Sequence, residues 1–241
     1  MGSKLSKTVS RFINMKVVAI IPARGGSKGI FKKNLVKVLG KPLIDWTIEA
    51  ALSSSFITDV VVTSDDDDIL SNTKKFEDVL LIDRPNELAQ DNSRTEPVLA
   101  HALEFLKNKG KEYDYLVLLQ PTSPLRNSND IDAAFKVLQN SEATSLISVV
   151  EPEHHPLKSF KINDKGFLEG LVNNNFPFMP RQELPKIFQP NGAIYIVKIT
   201  EFLKKNTLFT NKTINFTMSP SKSIDIDTFE DIKRIENHLK L

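Results

Sequence analysis

The chain has 241 residues, of which 40% are hydrophobic and 26% are charged, enough for one α/β core and at most a small second lobe. The net charge is only +2 and the basic residues are scattered, so we expect no nucleic-acid partner. The chain has no cysteine, which excludes disulfides and thiolate zinc sites and fits a cytoplasmic location. No apolar run approaches the roughly 20 residues needed to span a bilayer, so we expect no membrane partner.

The first fourteen residues, 1–14, are polar and basic and precede a second methionine, Met15. They lack the apolar core of a secretion signal. We therefore expect a flexible extension at 1–14, followed by a single domain at 15–241.

Short β-rich runs alternate with helical patterns from Met15 onward. Strands separated by helices of this length are typical of right-handed βαβ crossovers and a mainly parallel sheet, so we predict an α/β fold. The predicted strands are 17–21, 60–63, 79–83, 115–120 and 145–150, and the predicted helices are 42–53, 66–76, 96–107 and 130–139.

The pattern changes at 151–190, where six prolines and two short predicted strands, 158–162 and 167–171, interrupt the alternation. A strand at 193–197 and a final helix at 228–239 follow. The excursion is rich in Phe and Met, and such an arm could pack against a partner subunit. An ordinary surface loop is equally compatible with the pattern.

The loop at 23–34 directly follows the first strand, and loops at the carboxyl ends of parallel strands are where α/β sheets bind ligands. Its three glycines let backbone N–H groups approach an anion. Its cationic side chains could bind several phosphates. We favour a phosphate site over the alternative, a basic surface loop. The cationic residues are Arg24, Lys28, Lys32 and Lys33.

A second loop, Gln120 to Arg126, follows another predicted strand and would face the same edge of the sheet. Its prolines fix a turn, but a proline-rich turn before a helix is common. By itself this loop is a weak indication of a site.

Asp225 and Asp227 alternate in an extended segment, which places both carboxylates on one face. Two carboxylates with open positions suit Mg²⁺, which also binds nucleotide phosphates. The alternative is that Asp227 caps the last helix. We expect no metal at the acidic run 65–68, which opens a helix, and no zinc site among the four histidines.

With these motifs in view, the chain from Met15 onward resembles the acylneuraminate cytidylyltransferase (CMP-sialic acid synthetase) family. Eight landmarks occur in the family's order, and together they are far more specific than any one alone. They are 23–29 (ARGGSKG), 33–34 (KN), 84–89 (RPNELA), 120–126 (QPTSPLR), 154–158 (HHPLK), 180–182 (PRQ), 190–195 (PNGAIY) and 225–227 (DID).

The resemblance implies a three-layer, Rossmann-like nucleotidyltransferase fold and the transfer of CMP from CTP to a nonulosonic acid, an acidic nine-carbon keto-sugar. It implies catalytic roles for Arg24, Lys33 and Asp227, and Mg²⁺ bound by Asp225 and Asp227. It further implies nucleotide-binding roles for Ala23, Arg24, Gly25, Gly26, Ser27, Lys33, Asn34, Arg84 and Thr95.

The resemblance also implies that Gln120 and Tyr195 contact the sugar. It makes 151–190 a dimerisation arm that carries Lys158 and Arg181 into the neighbouring subunit's site, so that we expect a homodimer.

Two positions depart from the family pattern: Phe31 replaces a common proline, and Gln189 replaces an arginine of some sialic acid enzymes. The second departure makes legionaminic acid as good a candidate as N-acetylneuraminic acid. Three alternatives stay open on the sequence: a cytidylyltransferase for Kdo, a glycosyltransferase in which 225–227 is the metal motif, and a non-catalytic nucleotide sensor.

Overall fold

The computed structural model describes residues 15–27 and 29–239. The predicted extension at 1–14 and the side chain of Lys28 lie outside these described residues.

Seven long strands and six helices alternate along much of the described chain, and two short hairpins interrupt them. The strands are β1 (Val17–Pro22), β2 (Lys37–Val38), β3 (Lys41–Pro42), β4 (Asp59–Ser64), β5 (Val79–Asp83), β6 (Tyr115–Leu118), β7 (Ser145–Val150), β8 (Phe160–Ile162), β9 (Leu168–Gly170), β10 (Gln189–Lys198) and β11 (Thr213–Thr217). The helices are α1 (Leu43–Leu52), α2 (Asp67–Thr73), α3 (Thr95–Asn108), α4 (Ser128–Gln139), α5 (Ile199–Lys205) and α6 (Phe229–Leu239).

The main sheet has seven strands in the order β11-β7-β10-β6-β1-β4-β5. Strands β1, β4, β5 and β6 are parallel to one another, and β11 is parallel to β7. Only β10 runs antiparallel to both of its neighbours, β6 and β7. The predicted mainly parallel sheet is therefore confirmed.

Alternating residues of β1 pack on opposite faces of the sheet, which gives the fold three layers. Val17, Ala19 and Ile21 join a core cluster with α1 and α4 on one face. Val18 and Ile20 join a second cluster with α3 and α5 on the other face. Because both faces are covered, β1 consists of buried apolar side chains except at its last residue, Pro22.

A third, smaller cluster lies beside the sheet and joins loops to the last helix. Its members come from the first loop, the β2–β3 hairpin, α1, the second loop, the 225–227 segment and α6. They are Ile30, Val38, Leu43, Leu125, Ile226, Ile232 and Ile235. The cluster attaches the segments that carry the predicted site residues to one another.

Several element boundaries differ from the sequence predictions. Helix α2 ends at Thr73, and the next residues form a tighter turn in which Phe76 N–H donates to the Thr73 carbonyl at 3.0 Å. Strand β10 begins at Gln189 rather than at 193, because β7 pairs with it on both sides of an irregularity. The β2–β3 hairpin, α5 and β11 were not predicted. None of the helices in the described ranges is both long and apolar enough to cross a membrane.

Candidate active site

The carboxyl ends of β1, β5 and β6 border one open cleft of about 400 Å³. This is the edge at which open α/β sheets bind ligands. The cleft is lined by residues from 22–34, 84–98 and 120–122 and by Asp227. The predicted site residues that it brings together are Arg24, Ser27, Lys33, Asn34, Arg84, Thr95, Gln120 and Asp227.

Ala23 forms the base of the first loop and does not line this cleft. Its side chain is fully buried in the core, and its N–H donates to the Thr63 carbonyl at 3.0 Å. This bond continues the pairing of β1 with β4 by one residue. The Ala23 N–H is therefore occupied by the sheet, and the residue supports the loop from below.

The three glycines of the first loop have different surroundings. Gly25 N–H donates to the Asp65 carboxylate at 3.3 Å, while a side chain at Gly26 would meet nothing within 4 Å. At Gly29, a Cβ atom would lie 2.4 Å from the Asp227 carbonyl oxygen. Glycine at 29 therefore lets the first loop pack directly against the 225–227 segment.

Two cations of the first loop are already paired with acids across the cleft. Arg24 Nη1 donates to Asp91 at 2.9 Å and to the Gln90 carbonyl at 3.3 Å. Lys33 Nζ donates to Asp227 at 3.0 Å and to the Ile226 carbonyl at 2.7 Å. These contacts hold both side chains at the cleft wall, where an anionic ligand would compete with the carboxylates.

Arg84 and the start of α3 also form part of the cleft wall. Arg84 is buried and donates from Nη2 to Asp65 at 2.8 Å, while its buried Nε has no acceptor among the described residues. Thr95 is the first residue of α3, and no side chain caps that end of the helix. Both features present donors and positive potential to a ligand in the cleft.

Asn34 has a structural part in the site. Its side chain is buried, and Nδ2 donates to the Arg24 carbonyl at 2.9 Å. The bond closes the first loop on itself. Phe31, the departure from the family pattern, is 82% exposed within the same loop and is outside the core.

Asp225 and Asp227 project from an extended segment that is fixed by the residue between them. Ile226 is fully buried in the third cluster, and its N–H donates to the Thr122 carbonyl at 2.9 Å. Burial raises the pKa of the Asp225 carboxyl, and the negative charge of Asp227 raises it further. A hydrogen bond from Thr122 and the charge of Lys33 act in the opposite direction.

The alternative role for Asp227, capping the last helix, is wrong. Thr228 and Asp231 cap α6 reciprocally: Thr228 N–H donates to Asp231 at 2.9 Å, and Asp231 N–H donates to the Thr228 hydroxyl at 3.3 Å. The Asp227 carboxylate instead faces Lys33 and lines the cleft. It is therefore available for a ligand.

The four predicted sugar-binding residues are not brought together within one chain. Gln120 lines the cleft, and Tyr195 lies on β10, where burial and then the negative charge of Asp225 raise its pKa. Lys158 and Arg181 belong to the 151–190 arm, outside this cleft. The Arg181 guanidinium donates to the carbonyls of Glu153 and Pro152, both at 3.1 Å.

Sequence reasoning missed two of the acids that hold the cleft's cations, Asp65 and Asp91. Asp66 caps α2 by accepting from the N–H groups of Asp68 and Ile69, as the acidic run at 65–68 led us to expect. Asp65, however, binds Arg84 and the Gly25 N–H. Its position directly after a buried strand on the ligand-binding edge was the signal for this role. Asp91 carried no such signal, because it lies in a loop distant in sequence from Arg24.

The sequence profile of one family, described as cytidylyltransferase, matches residues 18–239. The chain belongs to this family. An N-acylneuraminate cytidylyltransferase of Streptococcus agalactiae is 33% identical over 226 residues, which cover 93% of this chain and 54% of that protein. A pseudaminic acid cytidylyltransferase of Campylobacter jejuni is 30% identical over 219 residues, which cover 91% of this chain and 94% of that protein.

Solved structures of the same fold are more distant in sequence. CMP:2-keto-3-deoxy-manno-octonic acid synthetase complexed with CTP superposes with a TM-score of 0.65 at 17% identity, covering 93% of this chain and 98% of that one. The 4-diphosphocytidyl-2C-methyl-D-erythritol synthase of Anaerococcus prevotii gives a TM-score of 0.63 at 14% identity, covering 96% and 99%. These likenesses confirm the predicted three-layer α/β fold of the chain. The chain spans about half the length of its streptococcal relatives.

Proposed function

We propose that this protein transfers CMP from CTP to a nonulosonic acid and releases pyrophosphate. The observation that carries the proposal is one cleft in which Arg24, Lys33, Arg84, Gln120 and Asp227 meet, in a chain matched by the cytidylyltransferase family over 18–239. We place the reaction in the cytoplasm, where CTP is made.

The triphosphate of CTP is assigned to the wall that contains Arg24, Lys33 and Arg84. Each of these cations is paired with a carboxylate, which orients its side chain in the cleft. Preorganised charge is effective in catalysis because it costs no reorganisation during the reaction. The uncapped start of α3 at Thr95 adds a positive helix end to the same wall.

The reaction is an in-line displacement at the α-phosphorus. The anomeric hydroxyl of the sugar gives its proton to solvent water and forms the new O–P bond, while the bond to pyrophosphate breaks and pyrophosphate leaves. A hydroxyl is a weak nucleophile, so positioning and charge neutralisation supply most of the rate. In this scheme Gln120 orients the sugar, and Arg24 and Lys33 neutralise charge on the phosphates.

Asp225 and Asp227 fit a Mg²⁺ ion. The charge of Asp227 helps to raise the pKa of Asp225, so a bound cation would relieve repulsion between two neighbouring carboxylates. No third acidic, histidine or cysteine side chain completes a cluster in the part of the chain that the structure describes, which suits Mg²⁺ because it keeps waters and takes phosphate oxygens. When bound, the ion would neutralise phosphate charge. Chelation with EDTA should stop pyrophosphate release, and undiminished release in EDTA would contradict the assignment.

We also propose that the protein is a homodimer joined through the 151–190 arm. The arm exposes seven large apolar side chains, and exposed apolar patches often mark protein–protein interfaces. A second copy that covers this surface could receive Lys158 and Arg181 in its own cleft. The exposed apolar residues are Phe160, Ile162, Phe167, Leu168, Leu171, Val172 and Phe178.

The test is pyrophosphate release with CTP and Mg²⁺ against N-acetylneuraminic, diacetyllegionaminic and pseudaminic acids and Kdo. We expect release with one nonulosonic acid, which names the substrate within the class. Gln189 is the reason for including the legionaminic sugar. Release with Kdo alone would overturn the sugar class, and silence with all four from folded, CTP-binding protein would overturn the activity.

A further inference from the structure

Arg126, at the end of the second loop, is a buried cation that does not line the cleft. It is 1% exposed and is among the largest fully buried side chains. Its Nη2 donates to the Thr47 hydroxyl at 2.8 Å and to the Gln120 carbonyl at 3.3 Å, and its Nε donates to the Ala193 carbonyl at 3.3 Å. All three acceptors are neutral.

The charge of Arg126 has no direct ion-pair partner in the described part of the chain. Asp130 attracts it from a distance, but the Asp130 carboxylate is bound by Lys222 at 2.8 Å. Burial lowers the pKa of Arg126 to about 10, so the guanidinium is still charged at neutral pH. Because an apolar side chain of similar volume often costs less than a buried charge, stability alone is a weak reason for this arginine.

The acceptors of Arg126 show that it joins the second loop to β10. Strand β6 ends at Leu118, and β10 pairs with it only through Tyr195–Lys198. Closer to the cleft these two strands are no longer paired, and the pairing of β10 with β7 is irregular between Pro190 and Tyr195. The guanidinium spans this gap, since it binds Gln120 on one side and Ala193 on the other.

Gly192, next to Ala193, lies beside the side-chain amide of Gln120. It has a φ of +78°, and a Cβ atom there would lie 2.9 Å from Gln120 Oε1 and 3.1 Å from Ser123 Oγ. The side-chain amide of Gln120 therefore lies against a bare Cα atom. Arg126 fixes the backbone of Gln120, and Gly192 leaves the space that its side chain occupies.

We propose that Arg126 and Gly192 are positioning residues that aim the Gln120 amide at the acceptor sugar and so set the affinity for that sugar. The inference rests on the proposed function, because it assigns the sugar side of the cleft to Gln120. It concerns the acceptor rather than CTP, because neither residue lines the cleft and the cations assigned to CTP lie on other segments. A Cβ atom at Gly192 would meet Asp225 Oδ1 only at 3.9 Å, an ordinary contact distance.

The experiment compares Gly192→Ala and Arg126→Lys with the wild type, using CTP and the sugar that the wild type turns over. Misplacing a binding group by about 1 Å can cost about 100-fold, so we expect KM for the sugar to rise about tenfold or more in both variants. KM for CTP should stay within about twofold, because neither residue lines the cleft and the cations assigned to CTP lie on other segments. Lysine keeps the charge of Arg126 but cannot bridge two carbonyls as the fork does.

Gly110→Ala is the matched control. Gly110 has a φ of +74°, and a Cβ atom there would meet nothing within 4 Å, so the variant carries the backbone strain of Gly192→Ala without the contact. We expect both KM values of Gly110→Ala to be those of the wild type. Equal rises in the two KM values of Gly192→Ala, or a sugar KM unchanged in both test variants, would overturn the inference.

Crystal structures of the variants separate this inference from the proposed function. A displaced Gln120 amide in Gly192→Ala, with a wild type that releases no pyrophosphate with any sugar, supports the positioning and overturns only the function. A Gln120 amide that stays in place in both variants overturns the positioning, whatever the wild type turns over.

Discussion

The charged residues of the cleft occur as cation–acid pairs rather than as a bare basic pocket. Lys33 with Asp227 and Arg84 with Asp65 are largely shielded on the cationic side, whereas Arg24 and Asp91 are more open to water. Partly buried pairs are screened less than exposed ones. The two shielded pairs are therefore less sensitive to salt, and the Arg24 pair is the one that a ligand can most easily replace.

Lys33→Met removes a charge that contacts both Asp227 and the Ile226 carbonyl. We expect kcat to fall about 100-fold or more, the size seen when one preorganised electrostatic contact is lost. The measurement is steady-state pyrophosphate release. Lys111→Met is the control, because Lys111 also pairs with an aspartate, Asp59 at 2.9 Å, but lies outside the cleft. Near-normal turnover in Lys33→Met would contradict the assignment.

Asp91→Asn tests whether the Arg24 partner competes with CTP. Exposed ion pairs are worth about 0.2–1 kcal/mol, so removing the charge should lower KM for CTP by up to about fivefold. The gain should shrink at high salt, because the pair is exposed. A higher KM for CTP in Asp91→Asn would show that Asp91 helps to hold the nucleotide site instead.

At the level of elements, the last helix and the 225–227 segment form one packed unit. Ile235 of α6 and Ile226 are both fully buried in the third cluster, which also contains Ile30 of the first loop and Leu125 of the second. The carboxylates of the site are thus held by apolar packing behind them. Loosening α6 should therefore affect both stability and turnover.

Ile235→Ala should lower the free energy of unfolding by about 2–5 kcal/mol, as for other buried Ile→Ala changes. Urea unfolding measures it. The exposed Phe229 of the same helix supplies the control, since Phe229→Ala should change stability by less than about 0.5 kcal/mol. If Ile235→Ala is as stable as Phe229→Ala, the third cluster does not hold the helix.

The sequence was most informative about features that depend on residues close together in the chain. The buried run of β1 and the glycines that follow it predicted both a strand and a ligand loop, and both lie at the cleft. The irregular start of β10 could not be predicted, because it depends on a side chain distant in sequence: Ile194 N–H donates to Ser148 Oγ at 2.7 Å. Asp91, the partner of Arg24, was missed for the same reason.

For the whole molecule, the main consequence of the fold is that one chain leaves two predicted sugar residues, Lys158 and Arg181, outside its own cleft. The arm that carries them also exposes its apolar side chains, with Phe178 80% exposed and packed edge-on against Phe160. A dimer would explain both observations at once. Activity and assembly should then be lost together.

Phe178→Glu places a charge on the apolar surface of the arm and should convert a dimer into a monomer, because a buried unpaired charge is costly. Sedimentation velocity measures the assembly, and pyrophosphate release should fall with it. Phe209→Glu is the control, since Phe209 is 67% exposed but lies outside the arm. A Phe178→Glu variant that stays dimeric, or a monomer with full activity, would contradict the dimer proposal.

CMP transfer to a sugar can be followed directly by ³¹P nuclear magnetic resonance of the protein incubated with CTP, Mg²⁺ and the nonulosonic acid panel. We expect the three CTP signals to give way to pyrophosphate and one new phosphodiester signal in equal molar amounts, and only when an acceptor sugar is present. Conversion of CTP to CDP and phosphate, or an unchanged CTP spectrum with every sugar, would contradict the proposed transfer.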